Sequence, residues 1–260
     1  MLFQIGDIVT RTSYNHDTFF VIVRIEGNIA YLKGINLRLY ADSDLSDLVK
    51  VDKPDVIDDE RITSKITNHL NLDRNEFFYL PGKVLHIDGD EDYLKRCMNF
   101  YKKLNIMAYG LCLKESDIKS EIRNYLQQLN PDIVVITGHD AYYKRKGSED
   151  NILNYKNTAN FIEAVKEARS YEKNQDKLII IAGACQSNYE ELIKAGSTFA
   201  SSPKRINIHA LDPAIIASYL ALFDRNKTID LLEVLAKTKS GSDGMGGVMT
   251  KGCMFVGYPR

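Results

Sequence analysis

Cysteine pairs at metal-ligand spacing are missing from this chain. Its four cysteines, Cys97, Cys112, Cys185 and Cys253, are scattered with no CxxC and no Cys/His cluster. That argues against a zinc site or a disulfide framework, and for independent thiols in a reducing compartment. A surplus of charge of either sign is missing too. The formal net charge is -1, so nothing electrostatic favours nucleic acid or an anionic membrane as a partner. No apolar run approaches the ~20 residues of a bilayer span. Residues 1–7 lack the basic and apolar regions of a signal peptide, so a cytoplasmic protein is expected. There is no internal repeat and no low-complexity tract. The glycine-rich stretch 241–247 lacks the Lys-Ser/Thr of a phosphate loop and reads as a turn before the last strand, or a flexible loop over substrate.

What is present is a chain of 260 residues, 44% of them hydrophobic, enough for one substantial core and a small second domain. Residues 1–52 carry short β-rich runs at 6–11, 18–25, 29–33 and 37–40, separated by turn residues, and predict a small SH3-like β-barrel. Residues 53–80, with the acidic cluster Asp58-Asp59-Glu60, predict a linker with a helical piece. From residue 81 to 260 strands alternate with helices. Strands are expected at 83–87, 106–111, 133–137 and 179–182. Helices are expected near 90–103, 116–129, 158–171, 187–195, 212–223 and 228–237. The stretches 197–202 and 205–209 would extend the sheet, and 246–256 would form an edge strand. The fold class is therefore α/β: an open, mostly parallel sheet with helices on both faces.

Two of those strands end in reactive side chains. Asp132-Ile133-Val134-Val135-Ile136-Thr137-Gly138 leads into His139, and Leu178-Ile179-Ile180-Ile181-Ala182-Gly183-Ala184 leads into Cys185. Both runs are short and β-branched, as strands covered on both faces should be. One helical segment lies between them, which makes them parallel neighbours joined by a crossover. Reacting groups in such sheets gather at the carboxyl ends of strands. A thiol and an imidazole delivered there suit a nucleophile and its proton partner, the core of a cysteine hydrolase. A helix starting near Ser187 would help lower the thiol pKa, and its exposed amides would suit an oxyanion. The bland alternative is a buried apolar cysteine and a loop histidine. Among the other histidines, His86 reads as a packed core residue, His209 beside Asp212 as the rival base, and His16 and His69 as solvated. Neither Asp132 nor Glu190 offers a reason to be a third catalytic member.

The Gly138-His139 and Ala184-Cys185 pair resembles the dyad of caspase and gingipain-type cysteine peptidases. More closely, the chain is similar to the YabG family of sporulation-specific proteases of endospore-forming bacteria. The similarity is carried by Ile5-Gly6-Asp7, residues 41–49, Pro81-Gly82-Lys83 through Asp88-Gly89-Asp90, Thr137 to Tyr142, Ala182 to Ser187, and Phe199-Ala200-Ser201-Ser202-Pro203. It implies a caspase-like core and a cysteine endopeptidase, with Cys185 and His139 as catalytic residues and no metal or organic cofactor. Implied substrates are spore coat and germination proteins, including the cortex-lytic machinery, cut after Arg or Lys. The implied location is the mother-cell cytoplasm, in association with the coat. Neither nucleic acid nor membrane is implied as a partner, and nothing sets the oligomeric state.

Two departures from the broader pattern matter. Asp140 stands where a glycine usually follows the histidine and lends its amide to the oxyanion, so the resemblance implies that role for the amides of Asp140 and Cys185; Gly183 stands where basic-specific relatives carry an aspartate. Another carboxylate must then meet the substrate cation. Asp88 and Asp90 lead, with Asp140 and Asp212 as alternatives; capping of the following helix competes with pocket duty for Asp88 and Asp90. Lys144-Arg145-Lys146 reads as a solvated run or as a self-processing site. Two competing functions remain: a glutamine amidotransferase-like thiol enzyme, disfavoured by the upstream histidine and by Ser187, and a non-catalytic coat-assembly protein.

Overall fold

The structure is a computed structural model that describes residues 3–52, 62–64, 66 and 75–259. The chain divides into two compact units, Met1–Asp58 and Asp59–Arg260. The first unit is a five-stranded antiparallel sheet of β1 (Ile8–Arg11), β2 (Phe20–Glu26), β3 (Ile29–Gly34), β4 (Tyr40–Asp44) and β5 (Leu48–Lys50), in the order β4-β3-β2-β1-β5. Inward residues of these strands, Val9, Phe20, Ile22, Ala30, Leu32 and Leu48, form their own buried cluster. The last strand is absent from the sequence pattern because Leu48-Val49-Lys50 is too short to show alternation. Asp44 ends β4 and accepts the Ser46 amide at 2.8 Å, turning the chain into that strand. Of the expected linker, 53–61, 65 and 67–74 lie outside the described residues, as does His69; residues 62–64 and 66 are helical. Phe78–Leu80 is a strand, β6.

The second unit is a layered α/β structure. Its elements are β7 (Val84–Asp88), α1 (Glu91–Lys103), β8 (Ala108–Cys112), α2 (Ile118–Leu129), β9 (Ile133–Thr137), α3 (Thr158–Tyr171), β10 (Ile179–Ala182), α4 (Tyr189–Ala195), β11 (Phe199–Ser201), α5 (Asp212–Ala221), α6 (Leu231–Lys237), the turn α7 (Gly241–Gly244), β12 (Met245–Gly247) and β13 (Phe255–Gly257). The six-stranded sheet has the order β12-β11-β10-β9-β7-β8. Its pairs are parallel except β11 with β12.

Alternation along the strands builds two cores. Ile133, Val135, Ile179 and Ile181 face one side, against Cys97, Phe100 and Tyr101 of α1 and the apolar length of α5. Val134, Ile136, Ile180 and Ala182 face the other, against Ile118, Ile122 and Leu126 of α2 and Phe161 and Val165 of α3. This is why those strands read as unbroken apolar runs: both faces are covered. Each fully buried Ile or Leu contributes roughly 1.5–3 kcal/mol. On α2 the buried positions recur every fourth residue, whereas every residue of α5 is buried, as expected of a helix without a polar face.

Two expectations are corrected. Residues 205–209 do not continue the sheet, because Ser202 and Arg205 take left-handed backbone (φ 63 and 53) and turn the chain out of extended conformation. Residues 246–256 are not one edge strand: β12 pairs with β11, while β13 pairs with β6 in a separate two-stranded sheet. Of the two readings of 241–247 the turn holds: a helical turn leads into a strand whose Met245 and Gly246 are buried.

Candidate active site

Register delivers His139 and Cys185 to one end of the sheet. Ile136 of β9 pairs with Ala182 of β10, and the Gly183 amide donates to the Ile136 carbonyl at 3.0 Å. His139 and Cys185 each lie three residues past that last pair. The two chain segments are then tied together. Ser187 Oγ donates to Asp140 Oδ2 at 2.8 Å, the Ala184 amide donates to Ser187 Oγ at 2.9 Å, and the Tyr142 amide donates to Gln186 Oε1 at 3.2 Å.

His139 is held from several elements. Its amide donates to Glu115 Oε1 at 2.8 Å, its carbonyl accepts from Asn157 Nδ2 at 2.7 Å, and its Nε2 lies 3.2 Å from Asp90 Oδ2. The Tyr93 ring from the first turn of α1 packs on it at 5.9 Å between centroids. Its side chain is 17% exposed.

Cys185 is held differently. It is fully buried in the apolar cluster of the α1/α5 face. Its Sγ accepts from the Ile208 amide at 3.3 Å and stands 3.9 Å from the Ile208 carbonyl. The Gln186 amide, the next residue, donates to Ser202 Oγ and to the Ile206 carbonyl, both at 3.0 Å. Residues 202–208 thus lie against the thiol loop as a strap. The helix expected to start near Ser187 begins two residues later: α4 starts at Tyr189 with Asn188 as its cap, so Cys185 lies outside the reach of its first turn.

The departures from the broader peptidase pattern have structural reasons. Gly183 has φ 104, and a Cβ there would sit 2.8 Å from Leu192 Cδ1 and 3.2 Å from Ser201 Cβ, so an aspartate does not fit. Asp140 uses its side chain to fasten the site. It accepts from the Ala141 amide at 2.9 Å, the Asn157 amide at 2.7 Å, Thr158 Oγ1 and Ser187 Oγ. Burial pushes its carboxyl pKa up, against the pull of these hydrogen bonds. That leaves the Asp140 carboxylate to the loop joint, not to a substrate cation.

The other carboxylates assigned to substrate are also enclosed. Asp88 is fully buried. It accepts from the Asp90 amide at 3.0 Å and Thr137 Oγ1 at 2.9 Å, and lies 3.6 Å from His86 Nε2. Asp212, buried on α5, accepts from the amides of Lys239 at 2.7 Å, His209 at 3.2 Å and Ser240 at 3.3 Å. Burial raises its pKa, again against hydrogen bonding. Asp90 caps α1, accepting from the amides of Asp92 at 3.0 Å and Tyr93 at 3.1 Å, and spends its second oxygen on His139. None of the three therefore presents a carboxylate to a ligand in this state. Each sits where the alternating pattern turns into a helix or a strand joint, where capping and pocket duty look alike in sequence.

His86 is a core histidine, with Nδ1 2.9 Å from Tyr101 Oη and Nε2 3.1 Å from Thr137 Oγ1. The rival base His209 is fully buried, and its Nδ1 accepts from the Leu211 amide at 3.3 Å. That hydrogen bond puts the ring proton on Nε2. Glu115, Asn157 and Ser202 join the site without standing out in the sequence. Glu115 has a usable signal, since it lies three residues past Cys112, the register partner of Asp88 at the end of β8. Among the described residues no group of three His, Cys, Asp or Glu side chains could hold a metal ion, and no helix is long and apolar enough to cross a membrane.

A model of the YabG peptidase U57 family matches residues 4–259. The chain belongs to that family. It is also 43% identical over 286 aligned positions to the Sporulation-specific protease YabG of Bacillus subtilis (strain 168), covering all of this chain and 99% of that protein. Membership of the YabG family makes the chain a protease, which sets aside the amidotransferase-like and coat-assembly readings.

Proposed function

We propose that this YabG-family protease is a cysteine endopeptidase of sporulation with Cys185 as nucleophile and His139 as its proton partner. The observation that carries the reading is their matched placement, three residues beyond the paired ends of adjacent parallel strands. The thiol gives its proton to the imidazole and its sulfur attacks the scissile carbonyl. The amides of Cys185 and Asp140 hold the oxyanion. The imidazolium then protonates the leaving amine as the C–N bond breaks, and water, deprotonated by the same ring, releases the acyl group. Because Cys185 is fully buried under the Ile208 backbone, substrate reaches it after residues 202–208 shift.

Cleavage after Arg or Lys is the specificity that fits the charge at this end of the sheet. Asp88, Asp90, Glu91 and Glu115 surround it, and after burial their field is what pushes the Cys112 thiol pKa up. Spore coat and germination proteins are the proposed substrates. Lys144-Arg145-Lys146 forms an exposed turn in the loop after His139 and is a proposed self-cleavage site. A peptide library with Arg, Lys and neutral residues before the scissile bond tests the reading on wild type, Cys185→Ala and His139→Ala. Cleavage after basic residues that both substitutions abolish is expected. Full activity of Cys185→Ala would mean another nucleophile. For self-cleavage, intact mass should show a cut near residue 145 in wild type and none in Cys185→Ala.

A further inference from the structure

We propose that Asp90 is the positioning residue for His139: its carboxylate fixes the Nε2 edge of the ring, so that Nδ1 is the atom that trades protons with Cys185 and the leaving amine. This rests on the Cys185/His139 reading above. The carboxylate is locked before it meets the ring. Oδ1 accepts from the Asp92 and Tyr93 amides at 3.0 and 3.1 Å, which sets the carboxylate plane, and Oδ2 then lies 3.2 Å from His139 Nε2. The two side chains are 7% and 17% exposed, so water and salt screen them far less than a surface pair.

Each remaining freedom of the imidazole is restrained as well. Tyr93 lies against the ring, Glu115 holds the His139 amide, and Asn157 holds its carbonyl. The Asp90 amide in turn donates to Asp88 Oδ1 at 3.0 Å, tying the cap to β7. With Nε2–H donated to a carboxylate, the neutral ring has Nδ1 as its basic atom. The thiol proton moves to Nδ1, and Nδ1 later passes it to the amine nitrogen as the C–N bond breaks. Asp90 itself stays unprotonated and faces the transient imidazolium, which it stabilises.

Asp90 and Tyr93 meet the ring itself, and Glu115 meets the amide of the same residue. Asp90→Asn removes the charge beside the ring while keeping the cap, since Asn caps a helix about as well as Asp. Asp230→Asn at the equivalent cap of α6, where Oδ1 accepts from the Leu232 and Glu233 amides at 2.9 and 3.1 Å, controls for cap chemistry alone.

On a fluorogenic peptide with Arg before the scissile bond, Asp90→Asn should lower kcat on the order of a hundredfold with KM little changed. Asp230→Asn should match wild type in both. Nitrogen NMR of the His139 ring in Cys185→Ala protein needs no substrate. It should show the Nε2–H tautomer, and adding Asp90→Asn should shift the ring toward Nδ1–H. Wild-type kcat in Asp90→Asn, or an Nδ1–H tautomer in Cys185→Ala, would overturn the proposal. If His139→Ala kept full activity, the dyad itself would fall; if His139→Ala were dead and Asp90→Asn unaffected, only the role of Asp90 would.

Discussion

The two halves of the site are built on opposite principles. His139 is partly open and sits in a polar frame, held by Glu115, Asp90 and Asn157. Cys185 is closed off, in an apolar cluster, held by the backbone of Ile208. The sheet delivers both residues by the same geometric rule, so the difference arises after the strands end. On the proposed dyad, a base must keep one orientation through the reaction, which fixed dipoles and charges provide, and a thiol packed under a strap would meet substrate only when the strap moves, which would set access on the cysteine side.

The sharpest way to break the contrast is to charge the cysteine side. Gly183→Asp installs the aspartate that basic-specific relatives carry, at a backbone with φ 104 and with Leu192 2.8 Å from the new Cβ. Strained backbone and overpacking should together destabilise the protein by roughly 4 kcal/mol. Urea unfolding would register this; a stable variant with improved cleavage after Arg would show that the loop yields.

Removing the joint between the halves ranks next. Asp140→Ala leaves Thr158, Ser187 and the amides of Ala141 and Asn157 without an acceptor, at a cost of about 3 kcal/mol, and should cut activity by uncoupling the two loops. The same carboxylate gives a pH signature. Its pKa is raised in the folded state by burial, so between the unfolded value and that raised value the folded state holds the extra proton. Its contribution to stability therefore grows as pH falls from neutral and declines as pH rises. Asp140→Asn cannot titrate. The wild-type-minus-variant difference in unfolding free energy should rise toward acid, and a flat difference would contradict the assignment.

How much of this is legible in the sequence follows from the same contrast. The parallel strands and their helices can be read because both faces of β9 and β10 are apolar, and His139 and Cys185 stand out at their ends. The carboxylates cannot be assigned, because a helix cap and a pocket aspartate share one local pattern. Asp90 caps α1, Asp212 ties the start of α5 to residues 239 and 240, and Asp88 is buried against Thr137. The strap reads as a strand because Arg205-Ile206-Asn207-Ile208-His209 alternates as a half-buried strand does. Its left-handed residues Ser202 and Arg205 have no such signature, since neither is glycine or asparagine. Glu115 has only its place just past the end of β8 as a signal, and its contact with the His139 amide reaches across β7.

The smallest predicted effect tests the closed half directly. Arg205 fastens the strap through Nε to Tyr155 Oη at 2.8 Å and Nη1 to the Ser202 carbonyl at 3.1 Å, with Nη2 on Glu190. Burial lowers its pKa but its partners outweigh that and raise it overall, so the guanidinium stays charged and held. Arg205→Ala should favour opening by about 1.4 kcal/mol, read as a roughly tenfold faster alkylation of Cys185 by iodoacetamide. Cys112, which is exposed, should react at the same rate in both proteins and serves as the internal reference. An unchanged Cys185 rate would mean that the strap is held by its own turn, through Ser202 Oγ donating to the Ile206 carbonyl at 2.6 Å. Access to the thiol would then depend on the backbone of residues 202–208 more than on its side-chain anchor.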